Sequence, residues 1–292
     1  MIVRISGGIG NQMFQYAIKK KLDILNNDVN YIDTRFFDYK KVHNGYELDK
    51  VFGIHDIEYK GSIQAPSETH RLLHKIFYKL GKRMFITRKY AMEILIDYCE
   101  SYGSFSGPKF YLDGYWQSEE YFSSISGEIK RLFTFPNFDE SKNLELLQIL
   151  KKENAVALHV RRGDFLNSSK FVCLGSTDYY QKAIEYIRKT VNAPLFVILS
   201  DDIDWCKKNL EIYENKVYVD WNNGDKSFRD MQIMTECKHC VIANSSFSWW
   251  GAWLNKNPES IIIAPNKFYY GNARNEEHLL PSGWVKIDYN KR

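Results

Sequence analysis

The second half of the chain alternates short apolar runs with helical segments, and this alternation restricts the possible folds more than any other feature. The apolar runs lie at 155–160, 195–199, 216–219, 240–243 and 261–264. Apolar runs of this length indicate buried strands. Strands that alternate with helices indicate a parallel, doubly wound sheet. The sequence therefore predicts an α/β fold for the second half of the chain.

The first residues predict another strand, followed by a glycine-rich turn and a helix. Ile2–Ile5 is a short apolar run, Ser6–Gln12 contains three glycines, and a helical pattern begins at Met13. Such a turn exposes backbone amides and the positive end of the helix dipole, which suits an anion. Dinucleotide binding is one alternative, but Met13 occupies the position of the third glycine in its fingerprint. A tight turn that binds no ligand is the other.

The chain of 292 residues is long enough for two domains. From Glu128 a predicted helix and a connection that contains Pro136 lead to a charged helix at 139–153. We place the boundary at the end of this helix. The prediction is an N-terminal domain of residues 1–150 and a C-terminal domain of residues 151–292.

Composition and charge argue against several classes of protein. A net charge of +4 is small for a nucleic-acid-binding protein of this length. The five cysteines form no disulfide-like framework, which is typical of reduced thiols in the cytosol. Neither a signal peptide nor an apolar run long enough to span a membrane is evident. We expect a cytoplasmic protein, and the basic stretch at 70–83 leaves peripheral contact with the inner face of a membrane open.

Polar and charged residues follow the predicted strands of the second half. Because the carboxyl ends of parallel strands meet at one edge of a sheet, we expect these residues to lie together. Arginine has a planar, permanently charged fork that suits phosphate, and carboxylates can accept hydrogen bonds from a base or a ribose. The pattern predicts a nucleotide-diphosphate site, or else a surface turn of structural ion pairs. The strand ends read Arg161-Arg162-Gly163-Asp164, Ser200-Asp201-Asp202, Asp220-Trp221-Asn222 and Asn244-Ser245-Ser246-Phe247-Ser248.

An aromatic and polar stretch follows a predicted strand that ends near Gly114. It includes Tyr115, Trp116 and Glu119. One interpretation is a patch that stacks on and hydrogen-bonds to a sugar, and the alternative is an aromatic packing corner between the domains.

Metal binding has little support in the sequence. Asp202-Ile203-Asp204 has the D-x-D spacing of metal-dependent sugar transferases, but Asp204 begins a predicted helix, where a carboxylate stabilises the dipole. The pair Cys237 and Cys240 lacks further ligands at suitable spacing. His70 and His74 also lack a third ligand. We expect no metal and no other cofactor.

Five ordered motifs resemble the α-1,2-fucosyltransferases of glycosyltransferase family 11, and the resemblance spans nearly the whole chain. It implies a GT-B-like fold of two Rossmann-type domains that face a cleft, with the acceptor on the N-terminal side and GDP-L-fucose on the C-terminal side. It implies a galactoside 2-α-L-fucosyltransferase that inverts the anomeric centre, needs no metal and resembles the bacterial members that build O-antigen. The motifs are Gly7–Ala17, Gly114–Phe122, His159–Asp164, Ser200–Asp202 and Asn244–Trp253.

The resemblance also implies roles for individual residues. Arg161 is expected to contact the β-phosphate and stabilise the departing GDP, with Arg162 in support. His159 and one of Asp201 or Asp202 are expected to recognise guanine. The other donor-binding residues implied are Gly8, Gly10, Asn11, Gln12, Ser245 and Ser246.

The base that accepts the proton of the acceptor hydroxyl is left open by the sequence. Asp164, Asp178, Glu119 and Glu120 are candidates, and each could equally be a structural or surface carboxylate. The predicted acceptor residues are Tyr115, Trp116, Glu119 and Asp178.

Two other functions fit parts of the sequence. One is a glycosyltransferase of the same fold that makes a different linkage. The other is a glycan-binding protein without catalytic activity, against which the intact Arg161-Arg162 pair argues, because binding a glycan needs no ligand for a diphosphate. A serine hydrolase is disfavoured because no G-x-S-x-G motif occurs.

Overall fold

The computed structural model describes residues 1–26, 29–63, 111–270 and 278–290, together with residue 76 and two strands at 84–86 and 90–93. The chain divides into two compact units. The first comprises Met1–Phe135 and Asn272–Pro281, and the second comprises Pro136–Gly271 and Ser282–Arg292. The helix Ser141–Leu150, which the predicted boundary assigns to the first domain, lies in the second unit.

The first unit contains a mostly parallel sheet. Its strands are β1 (Ile2–Arg4), β2 (Tyr31–Asp33), β3 (Met84–Ile86), β4 (Tyr90–Glu93) and β5 (Tyr111–Asp113). Their order is β2-β1-β5-β4-β3, and the β3–β4 pair is antiparallel. The described helices of this unit are α1 (Ile9–Asn26), α2 (Phe36–Tyr39), α3 (Leu48–Phe52) and α4 (Ser126–Leu132).

Helix α1 begins at Ile9, four residues before the predicted start at Met13. The chain turns at Gly7, whose φ of 79° lies in the left-handed region that favours glycine. Gly8 precedes the helix and Gly10 lies inside its first turn. The glycine-rich segment is therefore partly helix rather than wholly loop.

The second unit contains a six-stranded sheet in which every pairing is parallel. Its order is β11-β10-β9-β6-β7-β8, which confirms the predicted doubly wound α/β sheet. The strands are β6 (Asn154–Val160), β7 (Pro194–Ser200), β8 (Lys216–Val219), β9 (His239–Val241), β10 (Ile262–Pro265) and β11 (Val285–Ile287). The helices are α5 (Ser141–Leu150), α6 (Tyr179–Thr190), α7 (Ile203–Asn209), α8 (Phe228–Glu236) and α9 (Ser246–Trp253).

The core of the second unit explains the continuous apolar runs in the sequence. Ala155–Val160 of β6 are all buried, as are Pro194–Leu199 of β7. Strands that are covered on both faces require apolar side chains at successive positions rather than at alternate ones. The helix α6 contributes Tyr179, Ile184 and Ile187 to the same core.

Helix α9 packs tightly against α8. A Cβ atom on Gly251 would lie 2.7 Å from the sulfur of Met234, so the two helices approach through this glycine. Trp249 and Trp250 are fully buried, and Trp249 also contacts Trp284. The aromatic content of this segment therefore fills the core.

Within the described parts of the chain, no helix is both long enough and apolar enough to cross a membrane.

Candidate functional site

The turn after β6 is held by the carboxylate of Asp201, which follows the neighbouring strand β7. Asp201 accepts hydrogen bonds from the backbone amides of Arg162 (2.9 Å) and Gly163 (3.1 Å). The Nε of Arg161 lies 3.2 Å from the same carboxylate. The predicted meeting of these two strand ends is therefore observed in the structure. Asp201 serves here to shape the turn, because its oxygen atoms already accept from the chain.

Gly163 permits this close approach. A Cβ atom at this position would lie 2.9 Å from Oδ2 of Asp201, closer than real Cβ contacts come. The glycine of the Arg-Arg-Gly-Asp sequence is required by packing against the carboxylate.

Arg162 is fixed on both of its sides. Its Nη1 donates to Oδ2 of Asp202 at 2.6 Å, and its guanidinium lies 5.0 Å from the centre of the Trp205 ring. Asp202 also caps helix α7 by accepting from the amide of Trp205 at 3.1 Å. Ion pairing, cation–π contact and capping thus combine to immobilise Arg162.

Arg161 is held at Nε, and its terminal amino groups are available. Nε donates to Oδ1 of Asp164 at 2.9 Å, and the guanidinium lies 5.9 Å from the centre of the Phe165 ring. The terminal amino groups of Arg161 donate to no residue in the described part of the chain. With 28% of its side chain exposed, Arg161 can present these two groups to an anion.

His159 lies beneath this turn as a neutral side chain. It is 5% exposed and stacks on Phe247, with ring centres 5.4 Å apart. Burial, with a smaller contribution from the charge of Arg161, lowers the pKa of His159 to about 3. Its Nδ1 is buried without a hydrogen-bond partner among the described residues. Unpartnered buried nitrogens are costly, so this atom is a candidate ligand contact.

The N-terminus of α9 lies at the carboxyl edge of the same sheet, after β9. The hydroxyl of Ser245 accepts from the amide of Phe247 at 3.3 Å and so caps the helix, while Ser246 is its first residue. Asn244 is buried and donates to the carbonyls of Val172 and Phe268 at 2.9 and 2.8 Å. Ser245, a predicted donor contact, therefore serves to cap the helix.

A cavity of about 460 Å³ opens beside these strand ends. It contains a residue that the sequence analysis missed, Asp230, which lies on helix α8 rather than at a strand end. Burial raises the pKa of Asp230 to about 7, although a hydrogen bond from Asn222 at 2.9 Å opposes the shift. The available signal was a carboxylate between the apolar residues Phe228 and Met231. The lining includes Asp201, Asp202, Asp220, Asn222, Asn223 and Asp230.

In the first unit, the positive end of α1 already meets a carboxylate of the protein. The buried Glu47 accepts a hydrogen bond from the amide of Ile9, and burial raises the pKa of its carboxyl group. Any anion at this turn would have to bind beside Glu47. The turn is therefore a less open anion site than the sequence suggested.

Gln12, a predicted donor contact, is fully buried. It donates to the carbonyls of Gly7 (2.9 Å) and Gly45 (2.8 Å) and accepts from the amide of Glu47 (2.9 Å). All these partners belong to the fold, so the structure assigns Gln12 a role in holding the turn. Asn11 accepts from Gln117 at 2.7 Å, which joins the turn to the stretch after β5.

The predicted acceptor residues differ in their exposure. Tyr115 is 40% exposed, whereas Trp116 is fully buried with a φ of 56° and packs against Tyr121 within the first unit. Trp116 is thus a core residue, contrary to its predicted role as a sugar contact. Glu119 begins a single 3₁₀ turn, Glu119–Tyr121.

Asp178 is used structurally. It accepts from the amide of Asn290 at 2.8 Å and lies 3.0 Å from Lys182. Despite an opposing effect of burial, these contacts lower the pKa of its carboxyl group. A carboxylate with a lowered pKa is a poorer base, so Asp178 fits the predicted catalytic role less well.

The residues considered as metal ligands do not come together in the part of the chain that the structure describes. Across residues 1–26, 29–63, 111–270 and 278–290, no three His, Cys, Asp or Glu side chains are arranged to hold a metal ion. Asp204 is 86% exposed and pairs with Lys207 at 4.0 Å. Cys237 and Cys240 are buried, and burial raises the pKa of both thiols. His70 and His74 lie outside the described residues.

An arginine available at a strand-end turn of a doubly wound sheet suits the binding of a phosphate group. The model of glycosyl transferase family 11 matches residues 1–288, and the chain belongs to this family. It is therefore a glycosyltransferase.

Two proteins of Escherichia coli resemble the whole chain. An α-1,2-colitosyltransferase is 32% identical over 99% of each chain. The O-antigen biosynthesis glycosyltransferase WbnK is 30% identical over 97% of this chain and 99% of its own. The human galactoside α-(1,2)-fucosyltransferase 1 is 27% identical over 65% of this chain and 55% of its own.

Solved structures share the fold. The NodZ α-1,6-fucosyltransferase soaked with GDP-fucose superposes with a TM-score of 0.50 at 13% identity, over 90% of this chain and 94% of its own. The fucosyltransferase NodZ from Bradyrhizobium superposes with a TM-score of 0.52 at 12% identity, over 86% of this chain and 90% of its own. The expected GT-B-like fold with two Rossmann-type units is confirmed.

Proposed function

We propose that this protein transfers L-fucose from GDP-L-fucose to the 2-hydroxyl of a terminal galactose, with inversion at the anomeric carbon. The name of the 27%-identical human relative supports both the sugar and the linkage. The name of the 30%-identical relative supports a role in O-antigen synthesis, which would place the reaction in the cytoplasm or at the inner face of a membrane. The acceptor beyond its terminal galactose is left open.

The arrangement of Arg161 is the observation that carries the proposal. Its Nε is held by Asp164 and Asp201, which leaves the terminal amino groups to contact the β-phosphate. As the bond between fucose and phosphate breaks, negative charge grows on the diphosphate, and a fixed positive charge stabilises it most at that stage. Arg162 supports this arrangement from its own contacts with Asp202 and Trp205.

The cavity beside the turn suits the nucleoside part of the donor. Guanine offers N–H donors on its base-pairing edge, and a carboxylate accepts them. Both oxygens of Asp201 and both of Asp202 already accept hydrogen bonds, whereas Asp230 accepts at Oδ1, from Asn222, so Asp230 is the better candidate for this contact. We therefore assign guanine to Asp230, with His159 contributing through its buried Nδ1.

No metal or other cofactor enters the proposal. Arg161, the helix N-terminus at Ser246 and the backbone of the turn supply the stabilisation of charge.

Colitose is a second candidate for the transferred sugar, because an α-1,2-colitosyltransferase is 32% identical over nearly the full length. Colitose is an L-fucose that lacks the 3-hydroxyl group. A site that hydrogen-bonds this hydroxyl rejects the deoxy sugar by about 10⁴-fold or more, whereas an apolar site discriminates much less. The ratio of rates with the two donors therefore distinguishes the candidates.

The test is an incubation of the purified protein with either GDP-L-fucose or GDP-colitose and a panel of β1,3- and β1,4-linked galactosides. Linkage analysis of the product should show an α-1,2 bond to galactose. Binding of GDP without transfer from either donor would contradict both candidates, and absence of GDP binding would favour the glycan-binding alternative.

A further inference from the structure

Another cavity of the second unit, of about 230 Å³, lies beside helices α6 and α7 and is called the α6–α7 cavity below. Trp205 and Asn209 of α7 line it. Asp204 and Lys207 of the same helix line the cavity that contains Asp230. Because residues three or four apart share a face of a helix, the two pairs lie on different faces of α7. The α6–α7 cavity is therefore separate from the proposed nucleotide site.

The buried part of the lining is aromatic and aliphatic. Tyr180 and Ile184 of α6 are 3% and 2% exposed. The Trp205 ring is packed closely, since a Cβ atom on Gly175 would lie 3.1 Å from it. The guanidinium of Arg162 also lies 5.0 Å from the centre of this ring. These contacts fix the ring in place before any ligand binds.

The exposed part of the lining offers both acceptors and a donor of hydrogen bonds. Glu185 and Glu211 are exposed, and the carboxylate of Glu211 accepts no hydrogen bond within the described part of the chain. Arg188 is held at Nε and Nη2 by the carboxylate of Glu214. Its Nη1 donates to no residue among those that the structure describes. A ligand with hydroxyl groups could use all three side chains.

The distribution of charge favours a neutral ligand. An anion would be repelled by Glu185 and Glu211, because Glu214 already offsets the charge of Arg188. A cation would find aromatic rings that already contact arginines. Arg188 lies 5.2 Å from the centre of the Tyr213 ring, and the Trp205 ring is contacted in the same way. A further positive charge would therefore be repelled by these guanidinium groups.

We propose that the α6–α7 cavity binds one neutral sugar ring. The apolar face of such a ring packs against an aromatic side chain, and its hydroxyl groups donate to carboxylates and accept from a guanidinium. The volume suits a single ring, since pockets for drug-sized ligands measure about 300–1,000 Å³. The site would hold one sugar residue of a glycan, and binding there needs neither the donor nor the transfer reaction.

The test uses methyl glycosides of D-glucose, D-mannose and N-acetyl-D-glucosamine as probes, none of which is a galactoside. Binding is followed through the indole N–H signal of Trp205 in a ¹H–¹⁵N spectrum, identified by its loss in Trp205→Phe. We expect at least one glycoside to shift this signal in a saturable manner. Saturating GDP should leave that glycoside bound, because α7 separates the two cavities.

Two carboxylate variants locate the site. Glu185→Ala and Glu211→Ala should each weaken glycoside binding by about tenfold or more, because each removes a charged acceptor of a hydrogen bond. The matched control is Glu145→Ala, which removes an exposed carboxylate from α5 of the same unit and should bind like the unaltered protein. All three side chains are exposed, so we expect each variant to fold, and circular dichroism checks this.

Several results would overturn the proposal. One is the absence of a shift with all three glycosides, and another is displacement of the glycoside by GDP. Equal affinities in Glu185→Ala, Glu211→Ala and Glu145→Ala would place the sugar elsewhere. Saturation by sulfate or tetramethylammonium at lower concentration than by any glycoside would show that the cavity selects a charged ligand. Inactivity of the unaltered protein with both nucleotide sugars would overturn the proposed function and leave this site unaffected.

Discussion

At the scale of single residues, the two adjacent arginines have different roles. Arg162 is engaged by Asp202 and Trp205, whereas Arg161 keeps its terminal amino groups available. We predict that Arg161→Ala lowers kcat by about 10²- to 10³-fold, the usual cost of losing one charged donor to a transition state. Steady-state kinetics measure this change, and circular dichroism should show an intact fold.

Arg161→Lys provides a matched comparison. Lysine keeps the charge but cannot hold Asp164 through Nε while it contacts phosphate through other nitrogens. We expect an intermediate rate, above that of Arg161→Ala. Near-normal turnover in Arg161→Ala would contradict the role of Arg161 in stabilising the leaving group.

Asp230 couples stability to pH. Burial raises its pKa to about 7, so the folded protein holds this proton more tightly than the unfolded chain does. Stability from this group is fully present below the ordinary carboxyl pKa and falls as the pH rises toward 7. Asp230→Asn should therefore increase the free energy of unfolding at pH 8, on the order of 1–2 kcal/mol, and change it little at pH 4. Urea unfolding at both pH values measures the difference.

The same substitution should weaken binding. If Asp230 accepts from guanine, Asp230→Asn should reduce GDP affinity at pH 8 by about tenfold or more, since hydrogen bonds to charged groups contribute about 1.5–3 kcal/mol. A variant that is more stable but binds GDP normally would remove Asp230 from the nucleotide site. Calorimetry at pH 8 distinguishes the two results.

At the scale of the elements, the turn after β6 requires a residue without a side chain at Gly163. Gly163→Ala would place a Cβ atom 2.9 Å from Oδ2 of Asp201, so either the turn or the carboxylate must shift. We expect GDP affinity to fall about tenfold, because a displaced turn misaligns Arg161. Gly127→Ala is the control, since nothing lies within 4 Å of the added Cβ and the site is in a helix. Equal affinities in the two variants would show that the turn tolerates the shift.

The sequence predicted five of the six described strands of the second unit, because burial on both faces produces runs of successive apolar residues. Strand β11 was missed, because Lys286 at its centre is exposed and no such run forms. The start of α1 was missed because glycines suggest a loop, and here they form part of the first helical turn. Trp116 was misjudged for a related reason. A mixed aromatic and polar stretch does not specify which side chains point inward, and the φ of 56° turns this one into the core.

At the scale of the whole molecule, the candidate site was only partly predictable. The carboxyl ends of parallel strands meet at one edge of a sheet, and this rule alone is enough to predict that Arg161, Arg162, Asp201 and Asp202 lie together. It cannot find Asp230, which reaches the cavity from within a helix. The only signal for Asp230 in the sequence was local, a carboxylate between the apolar residues Phe228 and Met231.

The connection that follows the first unit is anchored by a buried arginine. Arg229 is 3% exposed, and its guanidinium donates to Asp139 (2.6 Å), Glu140 (3.1 Å) and the carbonyl of Pro136 (3.0 Å). Helix α8 thereby fixes residues 136–140 to the second unit. Lysine could not reproduce these contacts, because it lacks the planar fork that serves several acceptors at once.

We predict that Arg229→Ala lowers the free energy of unfolding by about 3 kcal/mol, in the range found when one partner of a buried ion pair is removed. Arg229→Lys should lose less, because it retains the charge. The control is Arg131→Ala, since the Arg131 side chain is 75% exposed and pairs with Glu128 at the surface, where such pairs contribute about 1 kcal/mol or less. Urea unfolding measures the loss of free energy of unfolding in each of the three variants. Equal losses for Arg229→Ala and Arg131→Ala would mean that other contacts hold the connection, and that the buried network around Arg229 is not what secures it.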